Sequence, residues 1–175
     1  MANRSNSAKK EYLKKLGCMI GDGTQIIGST SGFGSEPYLI SIGENCLIAA
    51  GVRFFTHDGG VSVLNNLKCF GDIPHDKMGR IDIGNNVYIG TNALICPGVV
   101  IGNNCVIGAS AVVTKNVPSN SVCVGVPAKV ISTIDEYYER AKDKVYKTGD
   151  LSPRDKKSFC MKYVKENKMN RKDVK

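Results

Sequence analysis

Histidine is scarce in this 175-residue sequence, which contains two, and long apolar runs are absent. A membrane-spanning helix needs about 20 consecutive apolar residues, so no such span is expected. The first five residues, Met1-Ala2-Asn3-Arg4-Ser5, are polar, so no secretory signal is expected either. A zinc site built on three histidines would need a ligand from a second chain, and no metal is expected.

Paired cysteine motifs are also missing, because the seven cysteines are scattered and no CxxC occurs. An odd number of dispersed cysteines does not indicate a disulfide framework. Free cysteine behaves as a small hydrophobic residue and is often buried. We therefore expect reduced thiols in the core of a cytoplasmic protein.

The net charge of +8 is concentrated at the two ends of the chain. Residues 1–16 carry +4, residues 17–131 carry −1 and residues 132–175 carry +5. A basic surface can favour nucleic acid or an anionic membrane. However, no nucleic-acid-binding motif and no alternation of aromatic and basic residues is present, so solvated helix faces are the preferred interpretation and no nucleic-acid partner is expected.

A six-residue repeat dominates residues 83–118. Each repeat begins with Ile or Val, usually has Gly second, and has Val, Ala or Cys fifth. The repeats begin at Ile83, Ile89, Ile95, Ile101, Ile107 and Val113. Helices and flat strands do not have a period of six, whereas parallel β-helices do. The pattern therefore predicts short strands joined by turns and stacked in successive coils.

This prediction fixes which residues should stack. If three repeats complete one coil, residues 18 apart lie above one another, which pairs Ile83 with Ile101 and Cys105 with Cys123. The aliphatic residue of each repeat should point into the coil. Asn pairs at 85–86 and 103–104 should occupy bends, because Asn tolerates the left-handed backbone region.

The repeats also divide the chain into segments. Residues 1–17 are expected to form an N-terminal helical segment, with a helix predicted over 7–16. Residues 18–131 form the repeat region, interrupted at 58–80 by an excursion without repeats. Residues 132–175 are expected to form a C-terminal helical extension. Interruptions of a regular solenoid are often functional.

Three motifs together resemble the hexapeptide-repeat acyltransferases, and most of all the O-acetyltransferases of capsular and lipopolysaccharide sugars, similar to galactoside and maltose acetyltransferases. They are the repeats, Thr-His-Asp-Gly-Gly at 56–60, and Val-Thr-Lys-Asn-Val-Pro at 113–118 followed by Gly-Val-Pro-Ala-Lys at 125–129. The resemblance covers roughly residues 18–131. It implies an all-β fold, a left-handed parallel β-helix, and a homotrimer with active sites between its subunits. The general rule for parallel crossovers would instead predict a right-handed coil.

The resemblance also implies acetyl-CoA as co-substrate. Its contacts, carried over by motif position, would be Thr91, Ala109, Thr114, Lys115 and Lys129. Thr91 and Ala109 are 18 apart and should share one edge of the coil. Lysines bind phosphate as point charges, which suits CoA.

Acetyl transfer to an alcohol needs a general base. His57 matches the family's catalytic histidine, and Asp58 could orient it or bind the acceptor. Adjacent strand residues face opposite ways, so a backbone carbonyl or Glu44 remains an alternative orienting group. His75 matches no motif and is interpreted as a loop residue. Direct transfer is favoured, because no cysteine is adjacent to either histidine.

The expected function is therefore O-acetylation of a sugar or nucleotide sugar. Alternatives on the same fold are an N-acetyltransferase, an antibiotic or serine acetyltransferase, and a zinc enzyme of the γ-carbonic anhydrase kind. A non-enzymatic basic binding protein is the remaining alternative.

Overall fold

The computed structural model describes residues 5–166, and residues 1–4 and 167–175 lie outside the described part. The chain divides into two compact units between Glu139 and Arg140. The three segments expected from the sequence, 1–17, 18–131 and 132–175, stay a prediction, and their outermost residues fall outside the described range.

The first unit is built from short strands. They are β1 (Met19–Ile20), β2 (Gln25–Ile26), β3 (Ile40–Ile42), β4 (Leu47–Ile48), β5 (Arg53–Phe54), β6 (Ile81–Ile83), β7 (Tyr88–Ile89), β8 (Leu94–Ile95), β9 (Val100–Ile101), β10 (Val106–Ile107), β11 (Val112–Val113), β12 (Ser121–Gly125) and β13 (Ala128–Thr133). Most of them are very short, as expected when each six-residue repeat supplies one strand and one turn.

These strands form three sheets that the chain visits in turn. The orders are β1-β3-β6-β9 in sheet A, β13-β12-β10-β7-β4-β2 in sheet B and β11-β8-β5 in sheet C. All pairings up to β12 are parallel, and β13 alone returns antiparallel to β12. Stacked parallel strands in successive coils, as predicted from the repeats, are thus confirmed.

The number of residues between paired strand positions gives the length of each coil. Ile83 lies opposite Ile101, as predicted for a coil made of three repeats. Ile42, by contrast, lies opposite Ile83, so the coil between these two residues is much longer. The additional length is that of the excursion predicted over 58–80, which this coil contains.

The last coil contradicts one predicted stack. Cys123 lies opposite Ile107 and does not lie opposite Cys105, so this coil is shorter than three full repeats. The shortening begins at the bend after β11, where Val117 already pairs with Ile101. A shorter bend suffices there because Asn116 Oδ1 accepts a hydrogen bond from Val100 N at 2.9 Å and tightens it.

Asparagines stack at the bend between sheets A and B. Asn86 and Asn104 have φ of 55° and 54°, the left-handed conformation predicted for them. Asn86 Nδ2 donates to Asn104 Oδ1 at 3.0 Å, and Asn104 Nδ2 donates to Asn120 Oδ1 at 2.9 Å. The side-chain ladder fixes the spacing of the coils at this edge.

The interior of the coil is a continuous apolar column. Its fully buried side chains include Phe33, Phe54, Ile26, Ile40, Ile48, Ile81, Ile89, Ile95, Ile101 and Ile107. Cys18, Cys46, Cys105 and Cys123 are buried among them, as predicted for core thiols, whereas Cys69 and Cys160 are exposed. Burial raises the pKa of the Cys18 thiol to about 12, so this thiol stays protonated and unreactive.

Helices lie before, within and after the strands. The first is α1 (Asn6–Lys15), close to the predicted 7–16 and capped by Ser5. Lys9 covers the open end of the first coil by donating from Nζ to the carbonyls of Ile26 and Ile27 at 3.0 and 3.1 Å. The excursion contains α2 (Val61–Asn66).

The boundary between the units falls inside α3 (Ile134–Ala141). The second unit contains α4 (Pro153–Glu166), which Ser152 caps through a 3.2 Å bond from Asp155 N. The ring of Tyr146 packs on Phe159 and Tyr163. Across residues 5–166, none of the helices has the length and apolarity that crossing a bilayer would require.

Candidate active site

His57 lies at the point where the coil gives way to the excursion. It follows β5 closely and forms an antiparallel bridge with Met78 at the returning end. Thr56 O accepts from Gly79 N and Asp58 N donates to Lys77 O, both at 2.8 Å. The two ends of the excursion are thereby fastened together beside the imidazole, whose side chain is 49% exposed.

Glu36 contacts the imidazole directly. His57 Nδ1 lies 2.8 Å from Glu36 Oε2. Glu36 belongs to the loop between two short 3₁₀ turns, Thr30–Phe33 and Pro37–Leu39, which replace the strand of sheet C in the first coil. Gly34 bends this loop with φ of 67°, a conformation that glycine adopts without strain.

Two hydroxyl groups hold the Glu36 carboxylate in place. Thr56 Oγ1 donates to Oε2 at 2.6 Å, and Ser35 Oγ donates to Oε1 at 2.8 Å. Thr56 is buried, with 1% of its surface exposed. These hydrogen bonds, first from Thr56 and then from His57 and Ser35, lower the pKa of Glu36 to about 2. The carboxylate is therefore ionised throughout the neutral range and acts only as an acceptor.

This contact determines the tautomer of His57. Because ionised Glu36 can only accept, Nδ1 of the imidazole must carry the proton. Nε2 of the neutral ring is then the free acceptor, which is the form a general base needs. The arrangement can take a proton at Nε2 and stabilise the resulting imidazolium through Glu36.

Asp58 has other partners. Its Oδ2 accepts from Lys77 Nζ and its Oδ1 from Gly60 N, both at 2.9 Å. The bond from Lys77, followed by that from Gly60, lowers the pKa of Asp58. Glu44, the other carboxylate considered from the sequence, lies at the bend between sheets A and B, where its carbonyl accepts from Asn86 N. Neither residue is the partner of the imidazole.

A cavity of about 450 Å³ opens beside His57. It lies between residues 28–34 of the first coil and residues 48–57 of the second, and His57 forms part of its wall. Ligand pockets in proteins commonly measure about 300–1,000 Å³. The cavity is therefore large enough to hold a small acceptor next to the imidazole.

The predicted CoA contacts fall on two edges of sheet C. Thr91 and Ala109 share the bend between sheets B and C, where Ser110 N donates to Thr91 O at 2.8 Å, so their predicted stacking is observed. Thr114 and Lys115 follow β11 at the opposite edge of sheet C, the edge where His57 follows β5. All four are exposed.

Lys129 lies on the antiparallel strand β13, opposite Val124. Its side chain is exposed, and β13 contacts β11 across the end of the coil. One chain thus places four of the five residues at the edges of sheet C and Lys129 on the terminal hairpin of sheet B. The roles assigned to them stay predictions.

His75, the second histidine, lies inside the excursion. Its ring stacks on Phe70 with centroids 4.7 Å apart, and Nδ1 contacts Ile73 O at 2.9 Å. Asn65 holds its backbone through bonds of 2.8 and 3.0 Å. These contacts fit the loop role expected from the sequence.

The similarity to known proteins includes the repeat region. Residues 80–115 match the family model described as bacterial transferase hexapeptide (six repeats). Protein CapG of Staphylococcus aureus is 44% identical over 162 residues, covering 92% of both chains. The chain belongs to the hexapeptide-repeat acyltransferase family. It is accordingly an acyltransferase, which decides against the non-enzymatic alternative.

A curated relative and a solved structure show further similarity. Galactoside O-acetyltransferase of Escherichia coli strain K12 is 41% identical over 101 residues, covering 58% of this chain and 47% of its own length. A solved structure of galactoside acetyltransferase in complex with coenzyme A superposes with a TM-score of 0.59 and 32% identity. That superposition covers 85% of this chain and 79% of the solved one.

The sequence made His57 a candidate but did not indicate Glu36, the residue that contacts its ring. The loop at 28–38 has no periodicity, so nothing in the sequence placed its single carboxylate next to an imidazole that follows much later in the chain. One usable signal was the register. Residues 33 and 54 occupy equivalent inward positions in successive coils, and their rings stack at 4.9 Å. This places residue 36 directly beside residue 57.

Proposed function

We propose that the protein is an acetyl-CoA-dependent O-acetyltransferase that acts on a hydroxyl group of a sugar or nucleotide sugar. The observation that carries this proposal is the 2.8 Å contact between His57 Nδ1 and Glu36 Oε2 at the wall of the cavity. It leaves Nε2 free to act as the base that an alcohol needs before it can attack a thioester.

The reaction proceeds by direct transfer. His57 Nε2 takes the proton of the acceptor hydroxyl while the oxygen attacks the thioester carbonyl carbon of acetyl-CoA. The tetrahedral intermediate collapses, the carbon–sulfur bond breaks and the thiolate leaves. The imidazolium, stabilised by Glu36, returns its proton to the thiolate, so acetyl ester and CoA thiol are the products. Glu36 stays ionised throughout.

Acetyl-CoA is assigned to the edges of sheet C. Thr91 and Ala109, stacked at one edge, are assigned to contact the pantetheine arm. Lys115 and Lys129 are exposed and are assigned to the phosphates of CoA, and Thr114 precedes Lys115. The left-handed coil and the homotrimer that the family resemblance implies belong to this proposal. In such a trimer, sheet C of one chain would face a neighbouring chain and close the groove.

The sugar hydroxyl is preferred because the relatives include a galactoside O-acetyltransferase. Its site of action is proposed to be the cytoplasm, where acetyl-CoA is made and where the free thiols of the core stay reduced. Asp58 is assigned a positioning role, because its side chain joins the two ends of the excursion.

The test measures CoA release from acetyl-CoA with a panel of sugars and nucleotide sugars, comparing the native protein with His57→Ala. We expect a loss of about 10²- to 10⁴-fold, the range for removal of a general base. His75→Ala is the matched control and should stay within twofold to threefold of the native rate. If His57→Ala keeps the native rate, or if the native protein neither binds acetyl-CoA nor releases CoA, the proposal is wrong.

A further inference from the structure

The lining of the cavity beside His57 carries a positive charge. Among the described residues that line it, Arg53 is the one that carries a permanent charge, and none is acidic. Glu36 is near but not part of the lining, and Ser35, Thr56 and His57 already bind its oxygens. Arg53 is therefore the permanently charged residue in the lining of this cavity, and no acidic residue of the described chain lines it.

Arg53 is also free to bind a ligand. It lies on β5 with its side chain on the outer surface of sheet C, and its backbone N donates to Ala93 O at 3.0 Å. Within residues 5–166, its guanidinium has no acidic partner within 4.0 Å, unlike Arg80, which donates to Asp82 at 2.7 Å. An exposed arginine without a carboxylate partner in a cavity wall is well suited to bind an anion.

Its position relative to the base is restricted. Arg53 and His57 lie on one short extended segment, so their Cα atoms are separated by at most about 14 Å. The flexible arginine side chain can bring its guanidinium closer to the imidazole than the Cα separation. The remaining distance matches the span of a sugar unit that carries a charged substituent. Ser29 and Ser31 add uncharged polar groups to the wall, which otherwise contains apolar residues such as Phe33, Phe54 and Phe55.

We propose that Arg53 binds an anionic group of the acceptor, either the carboxylate of a uronic acid or the phosphate of a nucleotide sugar, and so selects acidic acceptors. This inference rests on the proposed function and names its substrate class. Arg53 acts on the acceptor and not on acetyl-CoA, whose phosphates are assigned to Lys115 and Lys129. The guanidinium raises affinity by a charge-assisted hydrogen bond, leaving the chemistry to His57.

The kinetic test uses matched acceptors. Methyl β-D-glucuronide supplies the carboxylate, UDP-glucose supplies the phosphate, and methyl β-D-glucoside is the neutral reference. We expect kcat/KM to be about 10- to 100-fold higher for at least one charged acceptor, as for a hydrogen bond to a charged group. Arg53→Gln should abolish this preference by raising the acceptor KM, Arg53→Lys should restore part of it, and the KM for acetyl-CoA should stay within twofold.

Arg80→Gln is the control for loss of one positive charge, because Arg80 lies just before β6 and outside the cavity lining. It should retain the native preference. The charged acceptor that shows the preference identifies the source, carboxylate or phosphate. A native enzyme that acetylates neutral and charged acceptors equally would overturn the inference while leaving the proposed function intact. A rise in the KM for acetyl-CoA in Arg53→Gln would also overturn it, because Arg53 would then bind the co-substrate.

A binding measurement decides the matter even without turnover. The ring protons of His57 and His75 can be followed by NMR while each of the three acceptors is added. Acidic acceptors should shift the His57 signal in the native protein, with a loss of affinity of about tenfold or more in Arg53→Gln. The His75 signal, which arises from the excursion, should not move. If neither charged acceptor shifts His57 more than the glucoside does, Arg53 does not select acidic acceptors.

Discussion

At the scale of single residues, His57 depends on a partner that comes from the preceding coil. Glu36 contacts Nδ1, and Thr56 and Ser35 in turn hold the carboxylate. The outer hydrogen bonds matter because they keep Glu36 ionised and aimed at the ring. A histidine alone at this position could adopt either tautomer, and only the one with Nε2 free serves as a base.

The first prediction concerns this tautomer. Glu36→Gln preserves the size of the side chain but lets the amide donate to Nδ1, which favours the wrong tautomer. We expect kcat to fall by at least about 10- to 100-fold, with the KM for acetyl-CoA little changed. Glu44→Gln removes a carboxylate at another bend and should retain the native kcat. Equal activity of the two variants would contradict the orienting role.

The second prediction follows from the lowered pKa of Glu36. Its folded pKa of about 2 lies below the usual 4.5, so the unfolded chain binds more protons between these values. The stabilisation by Glu36 is therefore complete above the unfolded pKa and is lost as pH falls toward the folded one. Melting temperatures measured from pH 6 to pH 2.5 should fall less steeply in Glu36→Gln than in the native protein. Parallel curves for the two proteins would show that Glu36 contributes nothing to this dependence.

At the scale of structural elements, the repeats predict most of the first unit. The six-residue period placed the strands, and its interruption placed the excursion, because a coil cannot continue without an inward aliphatic residue in each repeat. The Asn pairs predicted the bends for the same local reason. These are features that each repeat determines by itself, so a single sequence reveals them.

Other elements escaped prediction because they depend on contacts between coils. The last coil is shorter than the spacing of Cys105 and Cys123 suggested, and Cys123 pairs with Ile107 instead. The change begins at the bend that contains Asn116, where Val117, the fifth residue of its repeat, pairs with Ile101, the first residue of another. Glu36 was missed for a similar reason. Its loop has no periodicity, so the sequence does not indicate which residue of the next coil it contacts.

The third prediction concerns the excursion. Asp58 was a catalytic candidate from the sequence, but its carboxylate pairs with Lys77 at 2.9 Å and caps Gly60. If its role is to hold the two ends together, the exchanged pair Asp58→Lys with Lys77→Asp should recover much of the activity that Asp58→Lys alone loses. Because solvent screens an exposed ion pair, it contributes little to stability, and melting temperatures should change little.

Steady-state rates of the native protein, the two single variants and the double variant form the complete cycle for this prediction. No recovery in the double variant, together with a large loss of kcat in Asp58→Asn, would place the carboxylate itself in the reaction.

At the scale of the whole molecule, the charge distribution matches the architecture. Residues 17–131 carry −1, and the two flanking segments together carry +9, which gives the net charge of +8. Two positive charges of the central segment nevertheless lie at sheet C: Arg53 is on β5, and Lys115 follows β11 at the edge where His57 follows β5. These two charges give sheet C a local positive potential within a central segment that is slightly acidic overall.

The last prediction concerns the proposed trimer. Thr91 and Ala109 lie on one edge of sheet C, whereas His57 lies at the other. If neighbouring chains build each site, His57 of one chain works with Ala109 of the next. His57→Ala removes the base, and Ala109→Trp blocks the path of the pantetheine arm at an exposed position where a large side chain is tolerated. Each variant alone should be nearly inactive.

Unfolding the two variants together and refolding them as a mixture should restore activity. In a closed ring with one site at each interface, random mixing in equal amounts leaves about one quarter of the sites with both native residues. The recovered rate should approach that fraction of the native rate, and sedimentation should give three chains per particle. Mixed particles that remain as inactive as the separate variants would mean that one chain supplies both residues, and sheet C would then bind acetyl-CoA without a neighbour.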